Sequence, residues 1–448
     1  MTYQNFSLKQ LQALDAAHYL HPFTDHKDLR AAGSRIITRA QGPFIYDSEG
    51  NEILDGMAGL WCVNVGYGRD ELAEAAYAQM KELPYYNSFF RCATPTPVLL
   101  ARRLAEIAPA GFNQVFYGSS GSEAVDSAMK ICLAYHRARG EAQRTRFVSR
   151  AWGYHGVNLG GTSLAGMVGN RRDFSGVTCD VVHMRHTWNE EQRFTRSQPE
   201  DGAHLADDLE DLCKTYGGET IAAVFVEPIA GSIGTIVPPK GYLQRLRQIA
   251  DKYGILLVFD EVITGFGRTG SAFASQEFGV TPDVITMAKA LTNGTIPMSA
   301  VAVKTEIQKA VISSVTADRP ELMHGYTYSA HPVACAAALA ALDIYRDEKL
   351  FERGKAMSET FLDGVFGLRN LPQVYDLRGH GMMAGIQLTP GKAPGEKGSI
   401  VQRLLFRDGL HVKATGDALI FAPALVSEGS DLDQMIDSLR RVLGRSDL

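Results

Sequence analysis

The chain has 448 residues, of which 45% are hydrophobic and 21% charged, with a formal net charge of −5. That length suits a large domain plus a smaller one, and the composition is that of a soluble globular protein. The mild acidity excludes a basic nucleic-acid footprint, and no basic amphipathic stretch points to a membrane surface. Six cysteines (Cys62, Cys92, Cys132, Cys179, Cys213 and Cys335) are scattered, with no CxxC pair and no zinc spacing. A reducing compartment is expected, and no metal site. The first residues lack a signal-peptide core, and the most apolar later run, 333–342, is too short and Ala-rich to span a bilayer. A soluble cytoplasmic protein is the expectation.

Residues 1–60 read as an N-terminal arm leading into a hairpin, in which 44–46 and 52–54 flank the turn sequence Asp47-Ser48-Glu49-Gly50-Asn51. GLWCVNVGYG (59–68) reads as a Gly-punctuated loop, followed by a helix over 70–83. Four aromatics crowd into Tyr85-Tyr86-Asn87-Ser88-Phe89-Phe90; such clusters serve as core or as pocket wall. A strand at 114–117 then runs into GSSGSEA and a helix over 123–139. Strand, Gly/Ser turn and helix N-terminus together suit a phosphate. No GK[ST] follows, which excludes the P-loop of nucleotide hydrolases. A plain capped turn, with Ser120 or Ser122 as cap, is the other reading.

Further strands are predicted at 145–149, 180–184, 221–226, 255–259, 284–287 and 299–303, and helices over 203–216 and 242–253, the second stopped by Gly254. Seven strands alternating with helices predict a mainly parallel sheet covered on both faces. This gives a large domain over 61–330. From His331 the pattern changes: a Pro-initiated, Ala-rich helix over 332–345, short strands at 374–377, 383–388, 409–412 and 419–421, and helices at 399–407 and 432–443. Residues 331–448 are expected to form a smaller α+β domain completed by the N-terminal arm. PGKAPGEKG (390–398) reads as a surface loop.

The segment 255–289 holds the chemistry. ILLVFD carries a buried strand with Asp260 directly after it, and VITMAK carries the next with Lys289 shortly after its end. An acid and an amine at the carboxyl edge of an open α/β sheet fit either an edge salt bridge or pyridoxal phosphate, whose aldehyde needs the amine and whose ring nitrogen needs the acid.

The array FYGSSGSEAVDSAMK, WGYHG, VFVEPIAG, LLVFDEVITGFGRTG, MAKALTNG and HGYTYSAHPVAC resembles the class III pyridoxal-phosphate aminotransferases of fold type I. Among them it is most like the pyruvate-dependent ω-aminotransferases, including the β-alanine–pyruvate enzymes. The likeness runs from GLWCVNVGYG to GDALIFAPAL, nearly the whole chain. It implies that Lys289 is the Schiff-base lysine and proton shuttle, and that Asp260 keeps the ring nitrogen protonated. It implies Ser120 and Gly121 as phosphate ligands, Tyr154 and Val262 on the two ring faces, and Glu227 near the cofactor. His155 reads either as a cofactor-site partner or as a structural hydrogen bond. Thr327 is implied to reach the phosphate from a second subunit, which makes the protein a homodimer with shared active sites. Phe23, Trp61, Phe89, Phe90 and Tyr154 resemble the aromatics that shape the substrate pockets.

One departure stands out. Where the family carries an arginine in R-x-x-G-D to hold the substrate carboxylate, this chain has Lys413-Ala414-Thr415-Gly416-Asp417. Lysine offers a point charge in place of a planar two-point clamp. Lys413 takes that role, or else another cation, Arg91, does. The resemblance implies transfer of an amino group from an amine or ω-amino acid to pyruvate by a ping-pong mechanism. An aminomutase, racemase or decarboxylase shares the Asp260/Lys289 pair and differs in the bond broken, and a non-catalytic regulator of the same fold needs neither. A Rossmann nucleotide enzyme lacks its GxGxxG turn here.

Overall fold

Seven segments carry the Val, Ile, Phe and Ala runs that a strand covered on both faces requires, and they form one sheet. The computed structural model describes residues 5–314 and 320–448. Its large-sheet strands, labelled here within that sheet, are β1 (Phe112–Gly118), β2 (Arg146–Arg150), β3 (Val181–Met184), β4 (Ile221–Val226), β5 (Leu256–Asp260), β6 (Val284–Met287) and β7 (Ser299–Lys304). The spatial order is β1-β7-β6-β5-β4-β2-β3. Neighbours from β6 through β3 pair in parallel, whereas β7 runs antiparallel to both β1 and β6. β1 through β6 therefore all end at one edge, and the fully buried β4 and β5 lie in the middle of it.

Alternating side chains of the central strands go to opposite faces. Ala223, Phe225, Val258 and Val284 pack with Ala124, Val125, Ala128 and Ile131 of α1 (Gly121–Ala138). Val224, Val226, Leu257 and Phe259 pack with Leu243, Leu246 and Ile249 of α2 (Tyr242–Tyr253). α2 ends where the sequence stops it, at Gly254 with φ +64°. The helix expected over 203–216 is divided: a 3-10 turn, Ala203–Ala206, precedes an α-helix, Asp207–Tyr216. Asp207, Asp208 and Glu210 then fall in the first α-turn, where negative charge is favoured.

A smaller α+β domain carries two four-stranded sheets. In one, the N-terminal strands Ile37–Gln41, Phe44–Asp47 and Glu52–Asp55 are joined by Leu410–His411, parallel to the last of them. The other comprises Val374–His380, Met383–Leu388, Ala418–Phe421 and Lys413–Thr415. The single strand expected at 409–412 is thus shorter, and a second strand begins at Lys413 in the other sheet. Buried Val412 lies between them. α3 (Pro332–Asp347) links the two domains with a nearly continuous buried face. The GFGRTG loop locks them together: buried Arg268 donates to the carbonyls of Met382 (3.2 Å) and Pro423 (2.5 Å) and to the Asn64 side chain. Among the described residues no helix is long and apolar enough to cross a membrane.

Candidate active site

The site grows from the ends of the parallel strands. Asp260 is the last residue of β5, not the first after it, because its backbone still pairs with Thr286 of β6. Thr286 donates its hydroxyl to Asp260 Oδ1 (3.2 Å), as does the N–H of Val262 (3.2 Å). Oδ2 lies 2.8 Å from Nδ1 of His155. A carboxylate only accepts, so the imidazole donates there, and His155 Nε2 is left buried without a protein partner. Three of about four acceptor positions on Asp260 are filled, which leaves room for one more N–H.

Lys289 follows β6 by two residues and opens a short 3-10 turn at φ +49°. A non-glycine residue there is strained, by about 1–3 kcal/mol, and such strain gathers at functional sites. Burial lowers the Lys289 ammonium pKa below the usual lysine range, against the opposing pull of Cys62, Asp260 and Glu227. Glu227 directly follows β4 and accepts the N–H groups of Tyr154 (2.9 Å) and Gly231 (3.1 Å). It thereby fixes the backbone of the WGYHG loop. Burial raises the Glu227 pKa, with His155 opposing and Asp260 reinforcing.

β1 delivers the Gly/Ser turn. Ser120 caps α1 by accepting the N–H of Glu123 (3.2 Å). Gly121 and Ser122 occupy the first turn of this 18-residue helix, where N–H groups lack intrahelical partners. A Cβ on Gly121 would stand 3.1 Å from Val262, so glycine keeps that wall open. Ser122 accepts the N–H of Val157 (3.0 Å), which clips the WGYHG loop to the helix end.

These elements form a cleft of about 140 Å³ lined by Gly121, Ser122, Tyr154, His155, Gly156, Glu227, Asp260, Val262, Ile263 and Lys289. Seven of the residues singled out in the sequence therefore meet in one place. Ser122, Gly156 and Ile263 were missed. GSSGSEA offers three serines, and only the phase of the helix start tells which one turns inward. Trp61 ends the short turn that follows the N-terminal strands, and Lys413 comes from the smaller domain. Lys289 Nζ is 5.3 Å and Lys413 Nζ 4.7 Å from the buried Trp61 ring centre. Burial and the neighbouring Lys289 bring the Lys413 pKa down to about 8, with Glu227 opposing.

The remaining candidates are not at the cleft of this chain. Phe23 and Phe90 are 79% and 91% exposed. Phe89 is half-buried beside Gly325, and Arg91 is exposed with φ +66°. Thr327 is exposed, its carbonyl accepting from the Tyr85 hydroxyl (2.8 Å).

The cleft fits pyridoxal phosphate on its own geometry: an amine of lowered basicity, a carboxylate with one free acceptor position, and a helix N-terminus kept open by glycine. Known proteins agree. The sequence model described as aminotransferase class-III matches residues 29–443. The ω-aminotransferase of Caulobacter vibrioides is 45% identical over 438 residues, covering 97% of this chain and 99% of its own. The putrescine–pyruvate aminotransferase of Pseudomonas aeruginosa is 42% identical over 449 residues, covering 99% and 97%. The ω-transaminase of Pseudomonas jessenii, solved in complex with PMP, superposes with a TM-score of 0.90 at 33% identity, covering 97% of each chain.

Proposed function

Because the chain belongs to the class-III aminotransferase family, we propose that it is an ω-transaminase that moves an amino group from a primary amine or ω-amino acid to pyruvate, giving alanine. The observation that carries the acceptor half of this reading is Lys413. Among the described residues no carboxylate forms a salt bridge with it, yet it sits over the same indole as Lys289. A cation without an acid partner beside the reactive amine suits the carboxylate of a keto acid.

Bound pyridoxal phosphate supplies an electron sink for negative charge at the substrate carbon. Lys289 is the residue that would hold the cofactor through its amine and would carry the proton between the two carbons of the exchange. Its lowered basicity favours the neutral, nucleophilic form of the amine. Asp260, oriented by His155, Thr286 and the Val262 N–H, would hold a proton on the ring nitrogen. Tyr154 and Val262 would hold the ring between them, while Gly121 and Ser122, beside the cap residue Ser120, would hold the phosphate at the start of α1. In a ping-pong cycle the donor leaves as aldehyde or ketone before pyruvate enters, so one pocket serves an amine that lacks a carboxylate and an acid that has one.

The working unit in this reading is a homodimer. Tyr86, Phe90, Met323 and Tyr328 are exposed apolar side chains on the segments around Thr327, and a second copy would cover them and receive Thr327 at its phosphate. Phe23, Phe89 and Phe90 then shape the neighbouring pocket. The chain divides into an arm over 1–60, a cofactor-binding domain over 61–330 and a small domain over 331–448. Six unpaired cysteines support a cytoplasmic location. The test of the chemistry is Lys289→Ala: it is expected to retain cofactor but lose turnover, and a wild-type rate would contradict the mechanism.

A further inference from the structure

Trp61 is held by an unusual piece of backbone. Ala58 (φ +45°), Gly59 (+57°), Leu60 (+73°) and Trp61 (+61°) make one left-handed helical turn. Three of the four are not glycine, and each L-residue is disfavoured there because its Cβ crowds the following carbonyl. The turn closes by hydrogen bonds from Trp61 N to Met57 O and from Cys62 N to Ala58 O, both 2.8 Å. Something outside the turn must determine its hand.

That something is Asp55, a buried carboxylate with no role in the cofactor cleft. Its Oδ1 accepts the N–H of Met57 (3.0 Å), and Oδ2 accepts the N–H of Gly59 (2.6 Å) and the hydroxyl of Tyr67 (2.7 Å). Only glycine fits at 59, since a Cβ would stand 2.7 Å from the Tyr67 hydroxyl and 2.8 Å from Val63. Asp55 is also the strand residue paired with His411, and Gly56 N donates to His411 O (2.9 Å). Two residues after His411 comes Lys413. One carboxylate thus stands at the common base of the turn that presents Trp61 and of the strand that leads to Lys413.

We propose that Asp55 is the positioning residue of the substrate-carboxylate subsite: by holding 58–61 left-handed it sets the Trp61 indole under the Lys413 ammonium. Without the clamp the turn relaxes toward ordinary backbone geometry, the indole withdraws and Lys413 loses its seat. A substrate lacking a carboxylate does not depend on that seat. The inference rests on Lys413 binding the acid, so its test must fail separately from that reading.

The experiment compares steady-state KM for pyruvate and for 1-phenylethylamine in the holoenzyme, together with the Trp61 fluorescence obtained by subtracting Trp61→Phe spectra. Asp55→Asn puts an amide N–H against an N–H donor. It is expected to raise the pyruvate KM about tenfold, as loss of one charge-assisted hydrogen bond does, to move the amine KM far less, and to shift the Trp61 emission. Adding Leu60→Gly, which removes the left-handed penalty at an exposed position, is expected to restore both. An unchanged pyruvate KM and emission in Asp55→Asn, or equal losses for both substrates that glycine does not rescue, would overturn the proposal. If Lys413→Ala leaves the pyruvate KM unchanged, the carboxylate reading falls, while the emission shift and its glycine rescue still decide whether Asp55 positions Trp61. Should Asp55→Asn not fold, Tyr67→Phe removes one of the three hydrogen bonds; a smaller change of the same selectivity supports the proposal and none overturns it.

Discussion

Lys413 stands where the resemblance implies an arginine, and its surroundings give that difference a measurable signature. An arginine stays charged at any working pH, whereas a lysine brought down to about 8 does not. Below that pH the ammonium is present and the keto acid has its partner; above it the charge is lost. The KM for pyruvate is therefore expected to climb about tenfold per pH unit at alkaline pH, relative to an amine without a carboxylate. Lys413→Arg should abolish that rise, and Lys413→Ala should raise the pyruvate KM at every pH far more than the amine KM. A pH profile in which pyruvate and amine move together would remove Lys413 from acid recognition. Asp260 offers a contrasting case. Its three hydrogen bonds and burial mean that its orientation is inherited from Val262, from Thr286 on β6 and from His155 in the WGYHG loop.

The Gly/Ser turn, α1 and the WGYHG loop act as a unit, and Gly156 shows how tightly they fit. Its φ is +93°, and a Cβ there would lie 2.5 Å from Ser122 Oγ and 2.8 Å from Ser122 Cα. Gly156→Ala must push the loop off the helix start. Titration of apoenzyme with pyridoxal phosphate is expected to show affinity about tenfold weaker or worse, and an unchanged affinity would mean that the phosphate is held elsewhere. Elements such as these were also the most legible in the sequence. The β4, β5 and β6 runs are apolar on both faces, so only a buried strand accommodates them, and the acid and amine at their ends follow from the connectivity. Legibility fails where a local pattern leaves the answer to distant contacts. GLWCVNVGYG reads as a loop because nothing local announces a left-handed turn; Asp55 imposes it from outside the segment. The strand at Lys413–Thr415 escapes notice because the chain changes sheets within a few residues. Ser122 is indistinguishable from its neighbours until α1 sets the phase.

Taken as one body, the chain sets Lys413 of the smaller domain over the Trp61 indole near the cleft of the large one, the two bolted together by Arg268, and leaves Thr327 and the exposed aromatic segments facing outward. A shared-site dimer makes a sharp prediction. In a mixed dimer of Lys289→Ala and Thr327→Ala protomers, one site collects both lesions and the other is intact. Activity should return in the mixture although Lys289→Ala alone is dead and Thr327→Ala alone binds cofactor weakly; no recovery would place Thr327 outside a shared site. The acid and amine of the sheet edge, the helix-end cup and the unpaired Lys413 all lead to one reaction, which a donor panel reads directly. Purified holoenzyme is supplied with pyruvate and, in turn, β-alanine, putrescine, γ-aminobutyrate, taurine and 1-phenylethylamine, and alanine is quantified beside the aldehyde or ketone. At least one donor is expected to yield alanine in one-to-one ratio with its carbonyl product; carbon dioxide release or isomerisation without alanine from any donor would contradict transamination to pyruvate.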